Sequence, residues 1–288
     1  MNAQAQQPGS SSTRGPRRAS LARRFFRQPV VDVIAGLEQL ATTRRPGAMM
    51  IGMVAIGIVT WFVYVPIHEL LHVAGCVVTG GTITELELPP RYGGSLLAKV
   101  FPWVVTESQY AGRLSGFSTH GSDLGYLATD FGPFLLTVVI GVPLIKLCKR
   151  RGRPILFPIA IVLGLAPFYN MQGDYYEMGS IIATRAATPL LGPSEPVIGE
   201  DGKLHPPCPE IQGSPTAAYR CLRADDIFKL FTDFFTEPAK LHVQSAGPFT
   251  LGLVIILIGL VLDVLLAFLT YRLGHLFSRL FIHDPRAV

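Results

Sequence analysis

The sequence predicts an all-α polytopic membrane protein with about four transmembrane helices and a small membrane-associated β-hairpin after the first. Three observations carry that prediction. Apolar residues make up 49% of the 288 and charged residues only 16%, too little polarity for an ordinary water-soluble domain. Four apolar stretches, near 48–80, 124–145, 154–173 and 247–271, are long enough to cross hydrocarbon, which takes about 20 residues at the helical rise. A short run of alternating polarity follows the first of them.

Residues 1–47 read as a basic tail. The first 29 are rich in Gln, Ser, Pro and Arg and have no apolar period, the composition of a disordered segment. Val30, Val31, Val33, Ile34, Leu37 and Leu40 then fall on one side of a short amphipathic helix, whose place is the membrane surface. A cleavable signal peptide is not indicated, because the apolar run starts after nearly fifty residues and exceeds the length of an h-region.

The first and third stretches are the purest. Between Pro46 and Thr84 the only formally charged residue is Glu69, and Pro154 to Gly173 has none. The second contains Asp130 and the fourth Asp263, carboxylates that lipid does not accept without a partner, water or a proton. Basic residues set the orientation. Arg14, Arg17, Arg18, Arg23, Arg24, Arg27, Arg44 and Arg45 precede the first stretch. Lys146, Lys149, Arg150, Arg151 and Arg153 join the second to the third, and Arg272, Arg279 and Arg286 follow the fourth. With four spans all three clusters share one side, which places both termini in the cytoplasm of a plasma (inner) membrane protein. The net charge of +5 follows this topology instead of forming a basic face, so nucleic acid is not an expected partner.

Residues 48–180 are the expected functional core, 181–246 a non-cytoplasmic loop, and 247–288 the fourth span with its tail. After the first span, Thr82 to Pro89 alternates as a strand, and the turn chemistry of Arg91 to Gly94 leads to Leu96–Val105, giving a small hairpin or a re-entrant strand pair. Gly192 to Pro215 is dense in Pro and Gly and reads as loop. Tyr219, Leu222, Ile227, Leu230, Phe231 and Phe234 give 216–236 a helical apolar period. Cys208 and Cys221 share the non-cytoplasmic loop, where an oxidising compartment would permit a bond.

The chemistry resides in His68-Glu69-Leu70-Leu71-His72. On a helix the two histidines stand one turn apart on one face, so both imidazoles reach one tetrahedral Zn²⁺ while Glu69 meets the metal's water as general base. A chance match in a chain of this length is on the order of one in a hundred, and ionisable groups inside an apolar run are functional suspects by default. Pro66 just before the motif removes a helical hydrogen bond and offers a place for a break.

A catalytic site needs a third ligand. Asp174, just after the third stretch, is the leading candidate. It lies as many residues beyond 154 as His68 lies beyond 48, which puts both roughly 30 Å from the cytoplasmic start. Glu177, Asp130 and Cys76 are the alternatives. Cys76 extends the histidine face by a further turn, although a small buried thiol is also an ordinary packing residue.

With HExxH in the first core span and an aspartate after the third, the chain resembles the site-2 protease family of intramembrane metalloproteases. The run His68-Glu-Leu-Leu-His-Val-Ala-Gly75 is similar to that family's catalytic helix. Gly80-Gly-Thr-Ile-Thr-Glu-Leu looks like its short membrane sheet, and Gly132-Pro133 falls where it carries a Gly-Pro turn. The resemblance spans roughly 48–180. Two departures stand out: Leu136 occupies the place of an asparagine, and Gly173-Asp174-Tyr175 that of Leu-Asp-Gly. The resemblance implies a zinc metalloendopeptidase in which His68, His72 and Asp174 hold Zn²⁺ and Glu69 is catalytic, acting in or near a transmembrane segment of a membrane-anchored protein substrate. Other readings are a catalytically silent relative that binds a partner or structural zinc, and a transporter that uses Asp130 and Asp263.

Overall fold

A computed structural model describes residues 21–43, 45–191, 197–198, 204–205 and 248–282. The chain begins with helix α1, Leu21–Ala41. The sequence placed its start at Val30, but the helix continues through Pro29. The buried Pro29 ring faces the bundle, and packing offsets the one backbone bond the proline cannot donate.

Helix α2, Pro46–Val78, is the first long apolar rod. Pro46 sits at its first turn, where a missing N–H costs nothing, and Gly80, at φ 86°, turns the chain out after it. The helix runs unbroken through Pro66, so the break anticipated there does not occur. Only 11% of its most apolar window is buried against the other described residues.

Strand β1, Thr82–Glu87, follows. The segment expected to pair with it does so only at its end, and in parallel. Gly93, in the left-handed region at φ 84°, starts the short helix α3, Gly94–Leu97, and the chain is extended again only at β2, Val104–Val105. β2 pairs parallel to β1, and the antiparallel partner of β1 is β3, Arg113–Ser118. The result is a three-stranded sheet in the order β2-β1-β3, in place of a two-stranded hairpin. Leu86, Leu88 and Val104 are buried where this sheet meets the bundle.

Helix α4, Asp123–Phe131, is capped by the Ser122 hydroxyl, which accepts from the Gly125 N–H at 3.0 Å. A 3₁₀ turn at Gly132–Phe134 and a π turn at Thr137–Gly141 carry it into α5, Val142–Arg151. Together they form a second apolar rod of 29 residues, Asp123–Arg151. Helix α6, Phe157–Gly164, and α7, Ala166–Tyr169, lead through a π turn at Met171–Tyr175 to α8, Tyr176–Leu191. The chain kinks at Gly173. A small pairing joins Val197–Ile198 to Leu204–His205, and α9, Pro248–Phe281, closes the chain.

The described residues are therefore mostly helical, and among them three helices are long and apolar enough to cross a membrane: Pro46–Val78, Asp123–Arg151 and Leu257–Phe281; Pro154–Gly164 is a shorter apolar helix. The expected 216–236 helix, Cys208 and Cys221 lie outside the described residues.

Candidate metal centre

The site is built where α2, α4 and the kink before α8 meet. The helical period sets His68 and His72 one turn apart, with their Nε2 atoms 3.2 Å from each other. The chain returns at Asp174 to face both. Its Oδ2 lies 3.3 Å from His68 Nε2 and its Oδ1 3.7 Å from His72 Nε2. Among the described residues, these three form the group able to hold a metal ion, one ligand atom from each within 4.8 Å of the others. A tetrahedral ion bound at about 2.0–2.1 Å spaces its ligands by about 3.3 Å, close to these separations.

Hydrogen bonding holds both histidines in place and, for His72, aims the lone pair. His72 Nδ1 is 2.8 Å from the Thr129 carbonyl. A carbonyl only accepts, so Nδ1 carries the proton and Nε2 presents its lone pair to the centre. His68 Nδ1 meets the Tyr64 hydroxyl at 2.7 Å, and Asn170 donates its side-chain N–H to that hydroxyl at 3.4 Å. The Asp174 Oδ2 atom is shut off from solvent and receives no hydrogen bond. Two imidazole nitrogens and a carboxylate thus converge with a carboxylate oxygen left unsatisfied. Such a cluster of acceptors is costly unless a cation joins it, and this donor set fits a metal ion.

Close approach of two backbones makes the His72 bond possible. A Cβ on Gly75 would stand 2.3 Å from the Ala128 carbonyl oxygen, and one on Gly132 would stand 2.3 Å from that of Leu71. With hydrogen at both crossings, α4 lies directly on α2, and the Thr129 carbonyl between them reaches the imidazole.

Glu69 is 8% exposed, beside His68 at 6% and His72 at 7%. Its carboxyl rests against Gly112, just ahead of β3, whose Cβ position lies 2.5 Å from the Glu69 Cγ and 2.9 Å from Oε1. Phe134, fully buried, closes the apolar side with its ring 5.8 Å from that of His68.

The alternative ligands are engaged elsewhere. Glu177 accepts from the Tyr126 hydroxyl at 2.5 Å, tying α8 to α4. Cys76 is buried with its Sγ 3.9 Å from the carbonyls of Thr82 and Ser118, so it packs beneath the sheet. Asp130 is buried on α4 outside the metal-binding group. Leu136, where the resemblance would place an asparagine, packs against the hydrophobic core. Sequence reasoning did not find Tyr64, Thr129, Asn170 or Gly112. Tyr64 had a signal, standing one turn before His68 on the same face, whereas Thr129 acts through its backbone and its side chain gives no hint. No protein-family model, curated protein or solved structure matches the chain.

Proposed function

We propose that this chain is a zinc-dependent intramembrane endopeptidase of the site-2 protease type, cutting a peptide bond in or near the transmembrane segment of a membrane-anchored protein. One observation supports it above the rest. His68, His72 and Asp174 bring their ligand atoms within 4.8 Å of one another, with Glu69 of the same HExxH helix beside them. In this reading Pro154–Gly164 and the turns after it serve as a further span, giving four, and the arginine clusters keep both termini cytoplasmic in a plasma (inner) membrane.

A zinc ion in such a site polarises a carbonyl and lowers the pKa of water. The chain's own residues supply the rest. Glu69 takes the proton from the attacking water and passes it to the leaving amine. Thr129 and Tyr64 hold the two imidazoles in orientation. The burial of all three motif residues limits bulk water at the reacting bond. β3, an outer strand of the sheet among the described residues, receives an extended substrate by strand addition.

Leu136 favours a second reading, a catalytically silent relative that holds zinc structurally or binds a membrane partner, because no side-chain amide stands at that position. Zinc content of detergent-purified protein, measured beside cleavage of a panel of single-span substrates, separates the two. Near-stoichiometric zinc in the wild type and in an inactive Glu69→Gln variant, lost in His68→Ala and Asp174→Ala, is the result expected of the protease. Zinc without cleavage of any substrate favours the silent relative, and a wild type without zinc ends both zinc readings.

A further inference from the structure

Helix α1 is turned inside out for a protein in water. Among its described side chains those buried are Pro29, Asp32 and Gly36, while Val30, Ile34 and Leu37, spaced along the opposite stripe, are exposed, and Phe26 at the start of that stripe rests its ring edge on Phe268 of α9. Val30 is 56% exposed, Ile34 49% and Leu37 51%. The buried carboxylate is fully occupied. Asp32 Oδ1 accepts from Lys149 Nζ at 2.7 Å and from Gln28 Nε2 at 3.1 Å, and its Oδ2 meets the Tyr271 hydroxyl at 2.9 Å and His275 Nε2 at 2.8 Å. Gln39 donates to the Lys149 carbonyl at 2.9 Å. The helix is thus held by its polar face to α5 and α9, and its apolar face points away from the protein.

Charge shows what covers that face. Arg27, Arg45, Arg150, Arg151, Arg153 and Arg279 are exposed at this end of the bundle, where Glu38 is the one exposed carboxylate among the described residues. The opposite end mixes signs, with Glu85, Glu87 and Glu107 near Arg91, Lys99 and Arg113. An exposed apolar stripe bordered by arginines matches the acyl and headgroup layers of an anionic leaflet. We propose that α1 is a lipid-docking element, its stripe Val30, Ile34 and Leu37 sunk into the headgroup boundary of an anionic membrane leaflet and its orientation pinned by Asp32. The inference is independent of the protease reading.

The test uses the full chain carrying Ile34→Cys with Cys208→Ser and Cys221→Ser; Cys76 and Cys148 are buried. A fluorophore on the new thiol is read in nanodiscs of phosphatidylcholine alone and of phosphatidylcholine with phosphatidylglycerol. Quenching by a lipid carrying a nitroxide near its headgroup is compared with quenching by a water-soluble nickel chelate. Leu37→Cys is a second reporter should the first variant not fold, and Glu38→Cys is the water-facing control. In anionic discs the label at 34 or 37 is quenched at least about 3-fold more by lipid than by the chelate, and that ratio falls at least about 2-fold in neutral discs. Dominant quenching by the chelate overturns the proposal. So does shielding from both reagents, the mark of a protein partner or a second copy, or an equal ratio in the two kinds of disc.

Discussion

Gly112→Ala displaces one carboxylate and little else. The new methyl would stand 2.5 Å from Glu69 Cγ and 2.8 Å from Cδ, where ordinary contact begins at 3.4 Å, so the side chain must retreat by about 0.9 Å. The atoms in the way belong to one side chain and not to backbone, so rotation about the Glu69 side-chain bonds can relieve the contact. Gly112 lies outside the left-handed region, and an alanine there lowers the entropy of the unfolded chain by about 0.4–1 kcal/mol. The two effects nearly cancel, so thermal stability should change by less than about 1 kcal/mol. Metal content should stay at the wild-type level, because none of the three proposed ligands is touched. A general base misplaced by about 1 Å costs on the order of 100-fold in rate, equivalent to about 2.7 kcal/mol of barrier. Metal analysis, a melting curve and single-turnover cleavage on one preparation read all three quantities. Full activity with metal in place would refute the assignment of Glu69 as a positioned base, and loss of metal would show that the substitution acts through the ligands instead.

Tyr64→Phe removes the hydroxyl that orients His68 while keeping the ring, and should weaken metal affinity by about 10- to 100-fold in competition with a chelator; unchanged affinity would dismiss that role. Gly132→Ala drives a methyl against the Leu71 carbonyl. It should separate α4 from α2, break the His72 bond to Thr129 and lower stability by about 1–3 kcal/mol, visible as a fall in melting temperature together with metal loss. At Asp32, burial opposes the charge, but hydrogen bonds from His275 and Lys149 outweigh it and hold the carboxyl down at about 2, from an ordinary 3.8. A carboxylate depressed on folding contributes its stability above the unfolded value and loses it as pH falls through the folded one. The contribution is about 2 kcal/mol, so the detergent-solubilised protein should melt earlier between pH 4 and 2, as about that window follows from the shift. Asp32→Asn should flatten this dependence; an unchanged acid limb would remove Asp32 as its source.

The long apolar rods and the histidine pair were legible because each depends on a local period: unbroken apolar length for the spans, one helical turn for His68 and His72. Counting residues from 48 and from 154 pointed to Asp174, and its carboxylate does lie beside both histidines, although the chain reaches it through the breaks after Gly164 and at Gly173 and not along one straight helix. The sheet was not. Leu96-Leu-Ala98 is as good a helix as a strand, and Gly93 in the left-handed region settles the matter by starting α3. Arg113–Ser118 carries a glycine and two serines, a weak strand signal, and pairs with β1 across 25 intervening residues. The same limit hid Asp32, whose partners Lys149, Tyr271 and His275 come from two helices far along the chain. It also hid the extent of α1, because Pro29 marks a helix end to a local reading and a packed helix can absorb it.

The paired glycine crossings of α2 and α4 also limit how the centre can be reached. Side chains can swing aside to admit a ligand, but at Gly75 and Gly132 there are none to swing, and carbonyl oxygens of the neighbouring helix occupy the space. That wall opens only if an entire helix moves. Along this seam the seal of the centre is therefore made of backbone, and no change of rotamer can loosen it.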